Sequence, residues 1–216
     1  MPGSMLRVHR SASDARHAYN RLSRWYDLLA GASEGPLREL GLSLLDVKCG
    51  ERVLEIGYGT GHTLVALAQA VGVAGSVVGL DISDGMARVA GDRLSSSDYR
   101  DRVLLCLANG EHHCVASQTV DAVFMSFTLE LFDTPVIPRV LENCGQVLRS
   151  EGRIGVVSLV KDDDGDGIPV RIYEWAHRRW PQWVDCRPIP LRQILTAAGF
   201  HITDAVRRRM WGLPVD

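Results

Sequence analysis

The sequence has no apolar run of the roughly 20 residues that a membrane-spanning helix requires, and no excess of charge of either sign. Its 24 basic and 26 acidic residues leave a net charge of −2. That balance gives no electrostatic basis for binding nucleic acid. With 216 residues, we expect one globular domain with enough chain for a core, and no nucleic-acid partner.

Informative cysteine patterns are also missing. The five cysteines are scattered, odd in number and contain no Cys-x-x-Cys pair, which disfavours disulfides and a zinc site. Reduced thiols, together with the lack of a signal-peptide-like apolar region near Met1, predict a cytoplasmic protein. We predict no bound metal. Asp162–Gly167 resembles the start of a calcium loop, but Tyr173 stands where the bidentate glutamate belongs.

The sequence does contain an apolar run that is followed by three glycines at alternate positions and then by a helical pattern. Val53–Ile56 is typical of a buried strand, and it is followed by Gly57, Gly59 and Gly61. The next residues, Thr63–Ala68, have helical periodicity. Strand, glycine turn and helix form the opening unit of a nucleotide-binding α/β fold.

Two acidic residues at strand ends indicate the kind of ligand. Glu55 stands two residues before the first glycine, where a carboxylate repels phosphate and attracts an ammonium group. Asp81 ends a second apolar run that begins at Val77, a place where an acid accepts hydrogen bonds from ribose hydroxyls. His62 occupies the position of the third glycine in a dinucleotide-binding motif. A nicotinamide-dependent oxidoreductase is therefore disfavoured.

Strand and helix patterns alternate along the rest of the chain. This rhythm predicts an α/β fold with a doubly wound, mostly parallel sheet and helices on both faces. Ligands then bind at the carboxyl ends of the strands. Further strands are predicted at 103–107, 120–125 and 153–160, and helices at about 12–29, 36–45, 84–93 and 136–148, with Ser83 capping the third of these helices.

These features resemble the class I S-adenosylmethionine (SAM) methyltransferases, and among them the quinone-methylating, UbiE-like branch. The resemblance covers most of the chain and implies SAM as cofactor, with S-adenosylhomocysteine as product. It rests on Tyr26–Gly31, Glu55–Gly61, Gly79–Ser83 with Met86, Val120–Val123, Val147–Gly152, Pro188–Leu191 and Ala198–Phe200.

The resemblance also implies how the chain is organised. One methyltransferase domain spans 12–216, with a helical lid at 12–46 and a substrate-capping segment at 168–200. Residues 1–11 are expected to be a tag or disordered. Because the chain stops where the last strand of the family is under way, we expect a reversed final strand, pairing with 201–207, to be short or absent.

Cofactor-binding residues are implied at the strand ends and on the lid. Ile82 and Met86 correspond to apolar walls for the adenine. Asn109 stands where the family usually carries an acid that contacts the adenine amino group, and its amide oxygen can accept the same hydrogen bond without bringing a charge. The full implied set is Tyr26, Glu55, Gly57, Tyr58, Gly59, Gly61, Asp81, Ile82, Met86, Asn109, Gly110, Glu111 and Ser126.

Methyl transfer to a phenol or hydroquinone requires a base that removes the hydroxyl proton. His113 and His112 follow the third predicted strand on the ligand side, and they are the candidate catalytic residues. Candidate substrate-binding residues are Tyr19, His177, Trp180 and Trp183. The Trp- and Arg-rich segment around the last three could also rest against a membrane or simply pack on the sheet.

We therefore predict a SAM-dependent methyltransferase acting on a small aromatic or lipophilic molecule, by C- or O-methylation of a quinol or phenol. The fourth strand ends in 125–130 without the Asp/Asn-Pro-Pro-aromatic run of enzymes that methylate nucleic-acid bases. Two alternatives stay open: an amine N-methyltransferase, for example on a phospholipid head group, and a SAM-binding accessory protein without turnover. The oligomeric state is not predicted.

Overall fold

The fold is an α/β sandwich in which five parallel strands form the central layer. The structure, a computed structural model, describes residues 31–111, 115–161, 170, 173, 175, 179 and 186–216. The helices of interest are α1 (Gly31–Leu45), α2 (His62–Val71), α3 (Asp84–Ser95), α4 (Ile137–Val147) and α5 (Leu191–Ala197). The strands are β1 (Arg52–Ile56), β2 (Ser76–Asp81), β3 (Val103–Leu107), β4 (Val120–Ser126), β5 (Leu148–Val157), β6 (Arg208–Met210) and β7 (Leu213–Val215).

The parallel strands have the order β3-β2-β1-β4-β5, which confirms the doubly wound α/β prediction. Neighbouring strands are in parallel register, for example Val53 opposite Val77 and opposite Ala122. The chain moves outward in one direction from β1 and then crosses to β4. The carboxyl ends of β1 and β4 therefore border the crevice where ligands bind in such sheets.

Apolar side chains alternate between the two faces of the sheet, and each face has its own core. On β4, Phe124 belongs to the cluster that includes residues of α2 and α3, while Val123 and Met125 belong to the cluster that includes residues of α4. Burial on both sides is the physical reason why these strands are nearly continuous apolar runs in the sequence. Helices on both faces were predicted and are confirmed.

Helix α1 begins at Gly31, earlier than the Pro36 predicted from the sequence. It lies against β4 and β5, where Gly41 allows a close approach. A Cβ at Gly41 would collide with the side chain of Val157 and lie 3.3 Å from Phe124. The predicted helix at 12–29 lies outside the described residues.

The reversed final strand exists and is short, as predicted, but its partner is not 201–207. A hairpin pairs β6 with β7, with Met210 opposite Leu213. The two turn residues, Trp211 and Gly212, have φ of 51° and 82°, the backbone that a two-residue hairpin turn needs. This turn fixes the register and places the partner strand at 208–210.

Strand β7 also joins the hairpin to the main sheet. Val215 forms an antiparallel bridge with Leu159, and Ser158 and Asp216 exchange backbone hydrogen bonds of 3.0 and 3.1 Å. The predicted strand 153–160 was wrong at both ends: β5 begins at Leu148 and ends at Val157, and the residues after Val157 form these bridges. None of the helices in the described ranges combines the length and apolarity needed to cross a bilayer.

Candidate functional site

The glycine turn after β1 lies at the carboxyl edge of the sheet, and each of its glycines is required for a different reason. Gly57, Gly59 and Gly61 have φ of 77°, 51° and 83°, a region that favours glycine. A Cβ at Gly57 would collide with Thr128, and one at Gly61 would lie 2.9 Å from the Cβ of Ala90. Gly59 has no atom within 4 Å of such a Cβ, so its backbone is open to a ligand.

Glu55 is a buried carboxyl group with a carboxylate oxygen that has no hydrogen-bond partner among the described residues. Burial raises its pKa to about 8, and the nearby charge of Asp81 adds to the effect. A hydrogen bond from Thr63 and the charge of Arg38 act in the opposite direction. A buried carboxylate oxygen without a hydrogen-bond partner costs free energy. A ligand cation at this point would relieve that cost.

Asp81, at the end of β2, is held by backbone donors. Its Oδ2 accepts from the Gly59 N–H and its Oδ1 from the Ser83 N–H, both at 2.9 Å. Burial raises its pKa to about 6. Each carboxylate oxygen has a further lone pair, so both can still accept from ligand hydroxyls. The Ser83 hydroxyl caps α3 as predicted, since it accepts from the Met86 N–H at 3.0 Å.

The loop after β3 brings together the predicted Asn109 and Glu111. The Asn109 amide donates to Glu111 Oε1 at 2.8 Å, and the Glu111 N–H donates to Asn109 Oδ1 at 3.2 Å. Arg139 of α4 forms an ion pair with Glu111 at 2.5 Å, and Asn143 donates to its carbonyl at 2.8 Å. Glu111, whose carboxylate is paired with Arg139, lines the same cavity as Asn109.

A cavity of about 380 Å³ joins these strand ends. The structure thus brings together, around this cavity, the predicted cofactor residues that it describes, except Gly61. Gly61 does not line the cavity, because it caps the start of α2 and packs on α3. Predicted residues that line the cavity are Glu55, Gly57, Tyr58, Gly59, Asp81, Ile82, Met86, Asn109, Gly110, Glu111 and Ser126.

Tyr58 lines the cavity but its ring is part of the core. A Cβ on Gly79 would lie 2.8 Å from the ring, and the Tyr58 hydroxyl is buried without a hydrogen-bond partner in the described part of the chain. Burial raises the pKa of this hydroxyl above its usual value. Tyr58 therefore contributes backbone and packing to the site.

The catalytic and substrate-binding predictions fall on residues that the structure does not describe. The predicted cofactor residue Tyr26 also lies outside the described residues. All of these assignments stay predictions: His112, His113, Tyr19, Tyr26, His177, Trp180 and Trp183. The calcium-like Asp162–Gly167 also lies outside the described residues.

Several cavity residues were missed by the sequence interpretation. Glu34 and Arg38 reach the cavity from α1, and their separation of four residues places them on one helix face. That spacing could have indicated from the sequence that Glu34 and Arg38 act on the same side of the helix. A second group follows β4 and lines the cavity only after folding, so no local pattern indicates it: Phe127, Thr128, Leu131, Phe132, Asp133 and Val136.

Comparison with known proteins finds that part of the chain is similar to methyltransferases. Residues 53–152 match the family described as "Methyltransferase domain". The chain is 27% identical over 148 residues to a demethylmenaquinone methyltransferase of Lactobacillus johnsonii, covering 67% of this chain and 60% of that protein. It is 30% identical over 158 residues to nocamycin O-methyltransferase of Saccharothrix syringae, covering 73% and 53%.

Solved structures show the same fold. A SAM-dependent methyltransferase from Aquifex aeolicus superposes with a TM-score of 0.66 at 20% identity, covering 91% of this chain and 95% of that one. At that identity the likeness concerns the fold alone. The chain spans between about half and three fifths of the length of the two curated relatives.

Proposed function

We propose that the chain is a class I SAM-dependent methyltransferase and that it transfers a methyl group from SAM to a small aromatic or lipophilic acceptor of the quinol or phenol type. The observation that carries this proposal is the pair of carboxyl groups at different strand ends of one cavity, with Glu55 buried and Asp81 partly buried. An amino-acid nucleoside presents an ammonium group to one and ribose hydroxyls to the other.

The described residues fit SAM part by part. The unpartnered Glu55 oxygen suits its ammonium group, and Arg38 suits its carboxylate, since both side chains line the cavity. Asp81 suits the ribose, while Ile82 and Met86 flank the position of the adenine. A pyrophosphate fits poorly, because it would be placed among carboxylates.

The acceptor end of the cavity supports an apolar substrate. Phe127, Leu131, Phe132 and Val136 line it, and Thr128 and Asp133 are the polar residues of the same stretch. Such a wall suits a flat aromatic ring with a few polar substituents. The presence of a demethylmenaquinone methyltransferase and an O-methyltransferase among the relatives supports the same substrate class.

When bound, SAM supplies a methyl group activated by the sulfonium. The chain mainly has to hold the acceptor in line with the methyl carbon, exclude water and remove a hydroxyl proton from the acceptor. We propose His113, with His112 beside it, for the proton removal. Tyr19, His177, Trp180 and Trp183 are proposed to contact the acceptor, and peripheral membrane contact by that Trp-rich segment stays part of the proposal.

Two measurements test the function. S-adenosylhomocysteine should raise the melting temperature by mass action, whereas NAD should not. Asp81→Ala should abolish most of that increase, and Asp101→Ala, at an exposed residue remote from the cavity, should leave it unchanged. A larger stabilisation by NAD than by S-adenosylhomocysteine would contradict the proposal.

The acceptor is tested by turnover of labelled SAM with hydroquinones, catechols and amines. Label in a hydroquinone or catechol product supports the proposed substrate class. Label found only in amines would establish the N-methyltransferase alternative. Tight S-adenosylhomocysteine binding with no labelled product from any class would favour a binding protein without turnover.

A further inference from the structure

Arg187 is the largest side chain that is fully buried in the described part of the protein. Its guanidinium donates to the main-chain oxygens of Glu130 at 3.1 Å and Phe132 at 2.8 Å, and to the Thr134 hydroxyl at 3.2 Å. A buried guanidinium is costly unless acceptors match its N–H groups. These three hydrogen bonds end on one short loop, residues 128–134, which we call the acceptor loop.

The acceptor loop forms one wall of the cavity. Leu131, Phe132 and Asp133 all line it, and they lie between the groups that Arg187 holds. The loop starts from a strained position, since Phe127 has a φ of 49°, a backbone conformation that persists only where the surroundings impose it. The Phe127 N–H donates to the Val157 carbonyl at 2.8 Å.

A second buried group holds the same loop. The Glu130 carboxyl accepts from the Leu159 N–H at 3.2 Å and forms a hydrogen bond with the Ser158 side chain. Glu130 is fully buried, and burial raises its pKa to about 7. The loop is thus tied to the chain directly after β5, at residues 158–159.

The two ties come from chain segments that lie side by side, since Ile189 forms a parallel bridge with Val160. Arg187 and Glu130 therefore connect the paired segments 158–160 and 187–189 to the acceptor loop. Most residues proposed for SAM, in contrast, lie in β1 and β2, in the turns after β1, β2 and β3, or on α1 and α3. Ser126, at the end of β4, is the proposed cofactor residue that stands next to the acceptor loop.

We propose that Arg187 is a positioning residue for the acceptor: it holds the acceptor loop against the cavity and so sets the fit of the substrate, while leaving cofactor binding unaffected. This inference rests on the proposed function, since it assigns the loop to the acceptor. It predicts that losing the guanidinium separates acceptor affinity from cofactor affinity.

The test compares Arg187→Met with Arg187→Lys and with Arg192→Met. Arg192 is an exposed arginine of α5 that pairs with Asp216, so its variant controls for the loss of an arginine. Hydrogen exchange is measured on peptides covering the acceptor loop and on peptides from β1 and β2, and S-adenosylhomocysteine affinity is measured by calorimetry.

In Arg187→Met we expect loop amides, including those of Leu131 and Phe132, to exchange at least about tenfold faster by local opening. The β1 and β2 peptides should change less than about twofold, and the dissociation constant of S-adenosylhomocysteine less than about threefold. Arg187→Lys should be intermediate, because an ammonium keeps some of the donors. Arg192→Met should match the unchanged protein.

With an acceptor from the turnover panel, Arg187→Met should raise KM about tenfold or more while kcat stays within about threefold. Unchanged loop exchange, or faster exchange spread equally over the sheet, would overturn the proposal. A loss of S-adenosylhomocysteine affinity as large as the effect on KM would also overturn it.

Should Arg187→Met not fold, Thr134→Val removes one of the three acceptors and preserves the side-chain volume. We expect about threefold faster exchange confined to the acceptor loop, and exchange unchanged in that variant would reject the assignment. The proposed function fails separately: it fails if the unchanged protein binds no S-adenosylhomocysteine, whatever the loop does.

Discussion

Glu55 predicts a specific coupling between cofactor binding and pH. With a pKa of about 8 in the free protein, the carboxyl group is neutral in about nine of ten molecules at pH 7. Binding an ammonium group requires the carboxylate, so at pH 7 the proton must leave at a cost of about 1.4 kcal/mol, or about tenfold in affinity. Cofactor affinity should therefore increase with pH until it levels off above pH 8.

The assay is calorimetry with S-adenosylhomocysteine between pH 6 and 9, in buffers with different heats of ionisation. The dissociation constant should fall roughly fiftyfold from pH 6 to pH 8, with about 0.9 proton released per ligand at pH 7. Glu55→Gln should release about 0.9 fewer protons per ligand at pH 7 than the unchanged protein. It should bind about 10- to 150-fold more weakly at pH 8, since a charge-assisted hydrogen bond is lost. Titration of the ligand's own ammonium group affects both proteins equally and cancels in the comparison.

Folding stability provides an independent check with a defined sign. The pKa of Glu55 is raised on folding from 4.5 to about 8, so the native state holds the proton more tightly than the unfolded state. This contribution to stability is present below pH 4.5 and is lost as pH rises toward 8. At pH 7 the loss is about 3 kcal/mol.

Glu55→Gln removes this titration and should stabilise the ligand-free protein at pH 8 more than at pH 5, as measured by urea unfolding at both values. A cofactor affinity in the unchanged protein that does not vary between pH 6 and 8 would refute the reasoning. An equal pH dependence in Glu55→Gln would refute it as well, because the titrating group would then be another one.

Three further predictions concern the glycine turn, the ribose site and the proton acceptor. Asp81→Asn should weaken S-adenosylhomocysteine binding about tenfold or more by calorimetry, since it removes a charged acceptor held at the Gly59 N–H; an unchanged affinity would exclude the ribose role. Gly61→Ala should lower the free energy of unfolding by about 1–3 kcal/mol, because it combines a φ of 83° with a contact of 2.9 Å to Ala90. Gly59→Ala, where the space is open, should destabilise less in the same denaturation assay, and the reverse order would contradict the packing argument. His113→Gln should reduce kcat at least about tenfold with little change in cofactor affinity; equal loss of both, or of neither, would reject His113 as the base.

The sequence predicts the central sheet well, because parallel strands buried on both faces are apolar runs of recognisable length. The ends of β3 were predicted without error, and β1, β2 and β4 differ by only a residue at one end. The errors lie where tertiary contacts decide the boundary. Strand β5 ends at Val157 because β7 pairs with the residues that follow, and the start of β6 is fixed by the turn at Trp211 and Gly212.

The loop after β3 shows the limit for polar residues. The sequence shows Asn109 where the family usually has an acid, and Glu111 two residues later, but it does not show that these two side chains are hydrogen-bonded to each other. Beyond a strand end, no period fixes the direction of a side chain. Arg139 and Asn143 of α4 hold Glu111 at the cavity, and their proximity arises only once α4 packs on the sheet.

The residues proposed to bind the cofactor and those proposed to position the acceptor differ in how far they lie within the range that matches the family. Glu55 and Asp81 lie within the matched range, residues 53–152, and each follows directly from a strand that the sequence reveals. The acceptor loop also lies in that range, but Arg187, which holds it, lies outside, and so do Glu34 and Arg38 of α1. The two carboxyl groups proposed to bind SAM therefore lie in the matched part of the chain, whereas Arg187, which is proposed to hold the acceptor wall, does not. The similarity gives no information about that contact, so the acceptor has to be measured on this protein.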